Sequence, residues 1–265
     1  MADYKKVQCA HGVEISYVEF GQENEEVLIM GGYYFITFVP MLKTLAKKYH
    51  VYGVVMRLDD KQPVSERAGD GLPNWMKQWV IDFYEFTKAI GITKFTYLGK
   101  CHGTFPFWDL MEQHGGMVTT AILLSPVSGG PTAAFLAQQR LMMTDSIKAF
   151  VEQIVRKPEN IEKKIQEMMS VDSRAIGITP HQFGLEGKSD GEMKAIFQSI
   201  KIPVLIISAS EDSMLDFAFL QLLYSNIKGC KVVLFEGEKH LFEMDIPEKI
   251  TDEVFLFVDQ VGKDC

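Results

Sequence analysis

Cysteine is scarce, and nowhere paired. The four thiols, Cys9, Cys101, Cys230 and Cys265, are scattered, and no two stand at CxxC spacing. That excludes a disulfide framework and a thiolate zinc site, and leads us to expect reduced thiols in a cytoplasmic protein. Excess positive charge is also lacking. The 27 Lys and Arg stand against 35 Asp and Glu, for a net charge of −8. Nucleic acid and anionic membrane surfaces both reward basic patches, so neither is expected as a main partner. No apolar run approaches the ~18 residues of a membrane span, and the opening "MADYKKVQCAHG" has no apolar signal region. A glycine-rich phosphate loop, a dinucleotide fingerprint and a metal-ligand cluster are likewise missing, so no cofactor and no metal are expected. Internal repeats and low-complexity tracts are absent too.

What is present is an ordinary globular composition, 47% hydrophobic and 23% charged over 265 residues, enough to bury a sizeable core. Short apolar runs recur at 13–20, 26–30, 51–56, 94–99, 119–125, 202–208 and 231–237. Most are continuous rather than alternating, which suits strands buried on both faces of a parallel sheet. Helical periodicity lies between them. In 74–92, Trp75, Trp79, Phe83, Phe86 and Ile90 recur at steps of three and four, behind a Pro73–Asn74 start; 41–49 and 246–261 also read as amphipathic helices. Alternating strand and helix predicts an α/β fold with right-handed crossovers. From about Gly129 to Ser199 the alternation stops and helical patterns take over. A structureless loop of that length is improbable, so a helical insertion is expected.

The stretch "YLGKCHGTF" (97–105) sets a thiol between two glycines, after a strand pattern and before a helix pattern. A strand turning sharply into a helix would thrust the central side chain out at the sheet end. The glycines would let the backbone pass close to its neighbours, and the helix N-terminus would favour a thiolate. A packed, inert thiol would not require the two glycines.

This pattern resembles the G-x-S-x-G nucleophile elbow of the α/β-hydrolase superfamily, with cysteine replacing serine, and the resemblance covers nearly the whole chain. It implies an α/β-hydrolase fold: a mostly parallel central sheet flanked by helices, with core segments 1–128 and 201–265 and a helical cap at 129–200. In the family's order of nucleophile, acid and histidine, Cys101 is the nucleophile. Asp212, in "SASEDSMLD", is the best match for the acid, with Glu211 and Asp216 as rivals. His240, in "GEKHLFEMDIPEKI", is the base. The backbone N–H groups of His102 and Tyr33 would form the oxyanion hole, Tyr33 following Gly31–Gly32 where many relatives carry His-Gly. The missing histidine is one departure. Another is "RLDDKQPVSER" (57–67), where many relatives show D-x-x-G-x-G-x-S.

The chemistry needs these residue types: imidazole carries the proton, and a carboxylate fixes its tautomer. His11, His50, His114 and His181 are placed less well, and His102 is expected to contribute its amide rather than its ring. Lys100, on a turn beside the thiol, is expected to be solvated. Met142, Met143, Met168 and Met169 line a ligand cavity or pack the cap.

A thiolate is itself a good leaving group. It favours thioesters, aryl or enol esters and activated lactones over ordinary amides and alkyl esters, and it also favours acyl transfer to an acceptor other than water. The expected function is therefore hydrolysis of an activated ester, lactone or thioester through an acyl-cysteine. The alternatives are an acyltransferase or cyclase on the same triad, or a non-catalytic binding protein on the same fold. The expected partner is a small, largely apolar acyl substrate, and a homodimer is compatible with the sequence.

Overall fold

In the computed structural model, residues 3–32, 35–55, 75–127, 147–170, 185 and 188–262 are described. Eight strands form one sheet. They are β1 (Lys5–Gln8), β2 (Glu14–Phe20), β3 (Val27–Gly32), β4 (His50–Val55), β5 (Phe95–Lys100), β6 (Val118–Leu124), β7 (Val204–Ala209) and β8 (Cys230–Phe235). Their spatial order is β1-β2-β4-β3-β5-β6-β7-β8. β1 pairs antiparallel with β2, and β2 with β4; every other pair is parallel.

Nine helices accompany the sheet among the described residues: α1 (Phe35–Leu45), α2 (Trp75–Ile90), α3 (Phe105–His114), α4 (Ile147–Ile154), α5 (Pro158–Ser170), α6 (Asp190–Ser199), α7 (Phe217–Asn226), α8 (Phe242–Asp245) and α9 (Pro247–Val261).

The continuous apolar runs have a simple cause. Successive side chains of a strand point to opposite faces, and here both faces are covered. Leu28, Met30, Leu98, Ile122, Leu124, Leu205 and Ile207 pack in one core with α1 and α9, through Met41, Leu42, Ile250 and Val254. The intervening Ile29, Tyr97, Ala121, Leu123, Val204 and Ile206 pack in the other with α2, α3, α6 and α7. The stripe in α2 is realised from Trp79 onward: Trp79, Phe83 and Phe86 are buried, and Ile90 packs against the core that holds Phe83 and Phe86, while the Trp75 side chain lies outside the described residues.

Sequence periodicity misses four elements, of which α8 is a single turn, too short to show a period. β1 is largely exposed and polar, with no apolar run to read. α7 is apolar nearly all round, and its start is marked by Asp216, whose carboxylate accepts from Ala218 N and Phe219 N. α6 begins at a capping box, Ser189 with Glu192. The start of α1 also differs. The helix expected at 41–49 begins at Phe35, runs through Pro40 and ends at Leu45. No helix among the described residues is long and apolar enough to cross a membrane.

Candidate active site

β5 carries the chain to the C-terminal edge of the sheet and ends at Lys100. Cys101 then takes a left-handed backbone, φ 49°, rare for a non-glycine residue. A 3-10 turn, Cys101–Thr104, leads into α3. The flanking glycines are required by contact. A Cβ on Gly99 would lie 2.5 Å from the Gly103 carbonyl oxygen, and one on Gly103 would lie 2.5 Å from that of Gly31. Tyr97 hydroxyl donates to the Gly103 carbonyl, and Thr104 Oγ1 donates to that of Cys101 at 2.6 Å, pinning the turn from both sides. Such a backbone persists only where its surroundings over-determine it.

Two other loops converge on the thiol. The turn after β7 presents Asp212, which is buried, and the loop after β8 presents His240, 3% exposed. His240 Nδ1 is 2.9 and 2.8 Å from the two Asp212 carboxylate oxygens. Asp212 is held in turn, because its Oδ1 accepts from Met214 N at 2.8 Å. With Nδ1 committed to the carboxylate, Nε2 is the imidazole atom left for the thiol. The structure thus brings Cys101, His240 and Asp212 together from three separate segments.

The rivals for the acid are placed elsewhere. Asp216 caps α7, and Glu211 is exposed. Among the other histidines, His50 pairs with Glu19 at 2.7 Å, and His114 stacks on Tyr84 with ring centroids 3.8 Å apart. His181 and Tyr33 lie outside the described residues, as do 57–67 and Met142 and Met143.

Burial opposes ionisation of the Cys101 thiol, but His102 and His240 outweigh it and hold the thiol well below its ordinary value. For His240, burial disfavours the cation and the Asp212 carboxylate favours it. Lys100 opposes and Cys101 assists, and the result is pushed up to about 9. Burial likewise opposes the Asp212 anion, yet the charges of His240 and Lys100 and a hydrogen bond with Ser125 hold it far below the usual carboxylate range. By contrast, burial pushes the Cys230 thiol up to about 12, which leaves it unreactive.

Two expectations need correction. Lys100 is not solvated: it is 5% exposed and points into the protein beneath the site. The reason is that β5 continues one residue further than its apolar run, so Lys100 ends a strand with both faces covered. The ring of His102 is not turned away from the thiol: its Nδ1 stands 3.4 Å from Cys101 Sγ. Neither fact is legible in the sequence, since adjacent residues in a tight turn can point almost anywhere.

The thiol has an apolar surround. Cys101 packs in a cluster with Phe150, Val151, Ile154, Met214 and Leu241. The first three belong to α4, within the segment read as a cap. α4 and α5 are latched to the chain after His240. Leu241 N donates to the Ile154 carbonyl at 2.8 Å. Asp245 Oδ2 accepts from Arg156 N at 2.9 Å and Lys157 N at 3.3 Å, while its Oδ1 accepts from Asn160 Nδ2 at 2.7 Å. No cluster of three or more potential metal ligands occurs among the described residues.

No protein-family model matches the chain, and no curated protein matches it. Solved structures do. A serine hydrolase from the polyaromatic-hydrocarbon-degrading bacterium Cycloclasticus zankles superposes with a TM-score of 0.78 at 16% identity, covering 98% of this chain and 99% of that one. An esterase from Rhodococcus sp. ECU1013 gives 0.77 at 18%, covering 98% and 99%. An N-acyl homoserine lactone degrading enzyme gives 0.73 at 18%, covering 96% and 100%. The fold is that of the α/β-hydrolases. Cys101 stands in the turn after the fifth strand of that sheet.

Proposed function

We propose that the protein hydrolyses activated esters, lactones or thioesters through a covalent acyl-cysteine, with Cys101 as nucleophile, His240 as proton carrier and Asp212 as its orienting carboxylate. One observation carries the reading: a thiol on a left-handed elbow, held below its ordinary pKa, beside an imidazole clasped by a buried carboxylate. The likeness to esterases and to a lactone-degrading enzyme supports the ester and lactone classes.

With Cys101 lowered and His240 raised, the resting pair at neutral pH is thiolate and imidazolium. Sγ attacks the acyl carbon, a C–S bond forms, and the carbonyl electrons move to oxygen. Amides at the elbow, with that of His102 first, would stabilise the oxyanion. Tyr33 would supply the second. On collapse the bond to the leaving oxygen or sulfur breaks, and that atom takes the proton from His240 Nε2. His240 then accepts a proton from water, hydroxide attacks the thioester, and the acid departs as the thiolate is restored. Asp212 holds the tautomer and steadies the imidazolium throughout.

Acyl transfer is a second reading. Cys101 is 8% exposed and walled by Phe150, Ile154 and Leu241. A thioester there meets little water and would pass readily to an amine or thiol acceptor.

A panel of 4-nitrophenyl esters, aryl thioesters and lactones, followed by intact-mass spectrometry, tests the proposal. An acyl adduct on Cys101 is expected, with turnover lost in Cys101→Ala. Unchanged turnover in that variant would overturn it. Products formed with and without an added amine separate hydrolysis from transfer.

A further inference from the structure

Directly beneath the thiol lies a buried ion pair that the acyl-cysteine chemistry does not itself use. Lys100 Nζ is 3.4 Å from Glu243 Oε2, and the two side chains are 2% and 0% exposed. Neither Glu243 oxygen accepts a hydrogen bond among the described residues, so Lys100 is what offsets its charge. The ammonium also donates to Ser125 Oγ at 3.1 Å and to the His240 carbonyl, and it sits 4.2 Å from the Phe242 ring centroid. Ser125 is fully buried, on a left-handed backbone (φ 43°) held by a bond from its N–H to the Ile207 carbonyl at 2.8 Å, and it hydrogen-bonds Asp212. One cation therefore joins the ends of β5 and β6 to the loop that carries His240, and through Ser125 reaches the turn after β7.

Packing alone gives no reason for this arrangement. Desolvating an ammonium and a carboxylate is unfavourable, and an apolar pair of similar volume would commonly be as stable. The charge at this place has an evident target, since Lys100 acts on both Asp212 and His240 and opposes the imidazolium that Asp212 favours.

We propose that Lys100 is a positioning residue. Its ammonium fixes the His240 backbone and, through Ser125, the Asp212 carboxylate in register with Cys101, and its charge makes the imidazolium readier to surrender its proton to the leaving group. Glu243 limits that charge, so the pair sets how strongly His240 holds its proton. This rests on the acyl-cysteine reading. Among the described residues, the charged and titratable groups acting on the imidazole are Asp212 from the turn after β7, Cys101 from the turn after β5 and Lys100 from β5, with Glu243 of α8 acting through Lys100 and His102 facing Cys101.

Glu243→Gln and the paired variant Lys100→Met/Glu243→Gln test it, against wild type. Two readouts are followed over pH: Cys101 alkylation by iodoacetamide, and turnover of 4-nitrophenyl acetate. In Glu243→Gln the alkaline limb of turnover should move down, because Lys100 is no longer offset. In the paired variant it should move up by about one pH unit, with kcat about tenfold lower and KM little changed. Coincident limbs in wild type and Glu243→Gln would overturn the role of Lys100, and Glu243→Gln, nearly isosteric, decides even if the paired variant does not fold. If wild-type Cys101 alkylates only at the pH of an ordinary thiol, the acyl-cysteine reading itself fails, and this proposal with it.

Discussion

Gly103 and Gly31 meet backbone to backbone: a Cβ on Gly103 would stand 2.5 Å from the Gly31 carbonyl oxygen. Gly31 is also the register partner of Gly99, so three glycines from two adjacent strands and one turn meet beside the thiol. Gly103→Ala should therefore lower thermal stability, by about 2 kcal/mol or more, because backbone on both sides must shift. Gly116→Ala, where a Cβ would meet nothing within 4 Å, is the control. Thermal melts of the two variants should differ clearly.

The thiol should behave as a thiolate at neutral pH. The rate of iodoacetamide alkylation at Cys101 should reach half its maximum well below the ordinary thiol value, whereas Cys230 should resist until about pH 12. Peptide mass mapping of the alkylated protein across pH 5–10 separates the two sites. His240→Gln should raise the Cys101 value, since it removes one of the two imidazoles that hold it down.

Asp212→Asn keeps the shape of the acid but reverses its role towards Nδ1. The imidazole would be held in the wrong tautomer and would lose the partner of its cation. A fall in kcat of about 10³–10⁴-fold is expected with 4-nitrophenyl acetate. Asp216→Asn, at the α7 cap, should leave kcat close to wild type.

His240 also links pH to stability. Its folded value, about 9, lies above the free value of 6.5. A raised value stabilises the fold fully below about 6.5, and the contribution fades as pH rises through about 9. The melting-temperature gap between wild type and His240→Gln should therefore narrow between pH 7 and pH 10. A gap that stayed constant would contradict the raised value.

Much of this was legible in the chain. Seven strands were readable: β2 by its alternation, the others as apolar runs, which two-sided burial makes continuous in β5, β6 and β7. The tight turn was readable because its backbone leaves no room for a Cβ at 99 or 103, so only glycine fits there. Asp212 and His240 came from chain order and from their positions after β7 and β8. Lys100 could not be read. Its partners Ser125 and the His240 carbonyl are 25 and 140 residues away, and only the assembled sheet brings them to it. The ring of His102 was missed for a local reason: its approach to the sulfur, 3.4 Å from Nδ1, depends on the backbone of the turn, and no spacing rule encodes that.

Asp245 is the last residue of α8, five residues past His240, and its buried carboxylate caps the link between α4 and α5. Asp245→Asn should loosen that link by about 1–3 kcal/mol. Faster amide exchange across 147–165, with little change at β5 and β6, is the expected signature.

That carboxylate gives the molecule a mechanical coupling. The roof over the sulfur and the segment that bears His240 are bolted to the same short helix, with Leu241 tied to Ile154 as a second fastening. Lifting the roof to admit a guest would tug on the segment that aims the imidazole, so an open chamber would be a poorly tuned one. Chemistry would then wait for the roof to settle, and a thioester formed inside would be shielded until it lifts again.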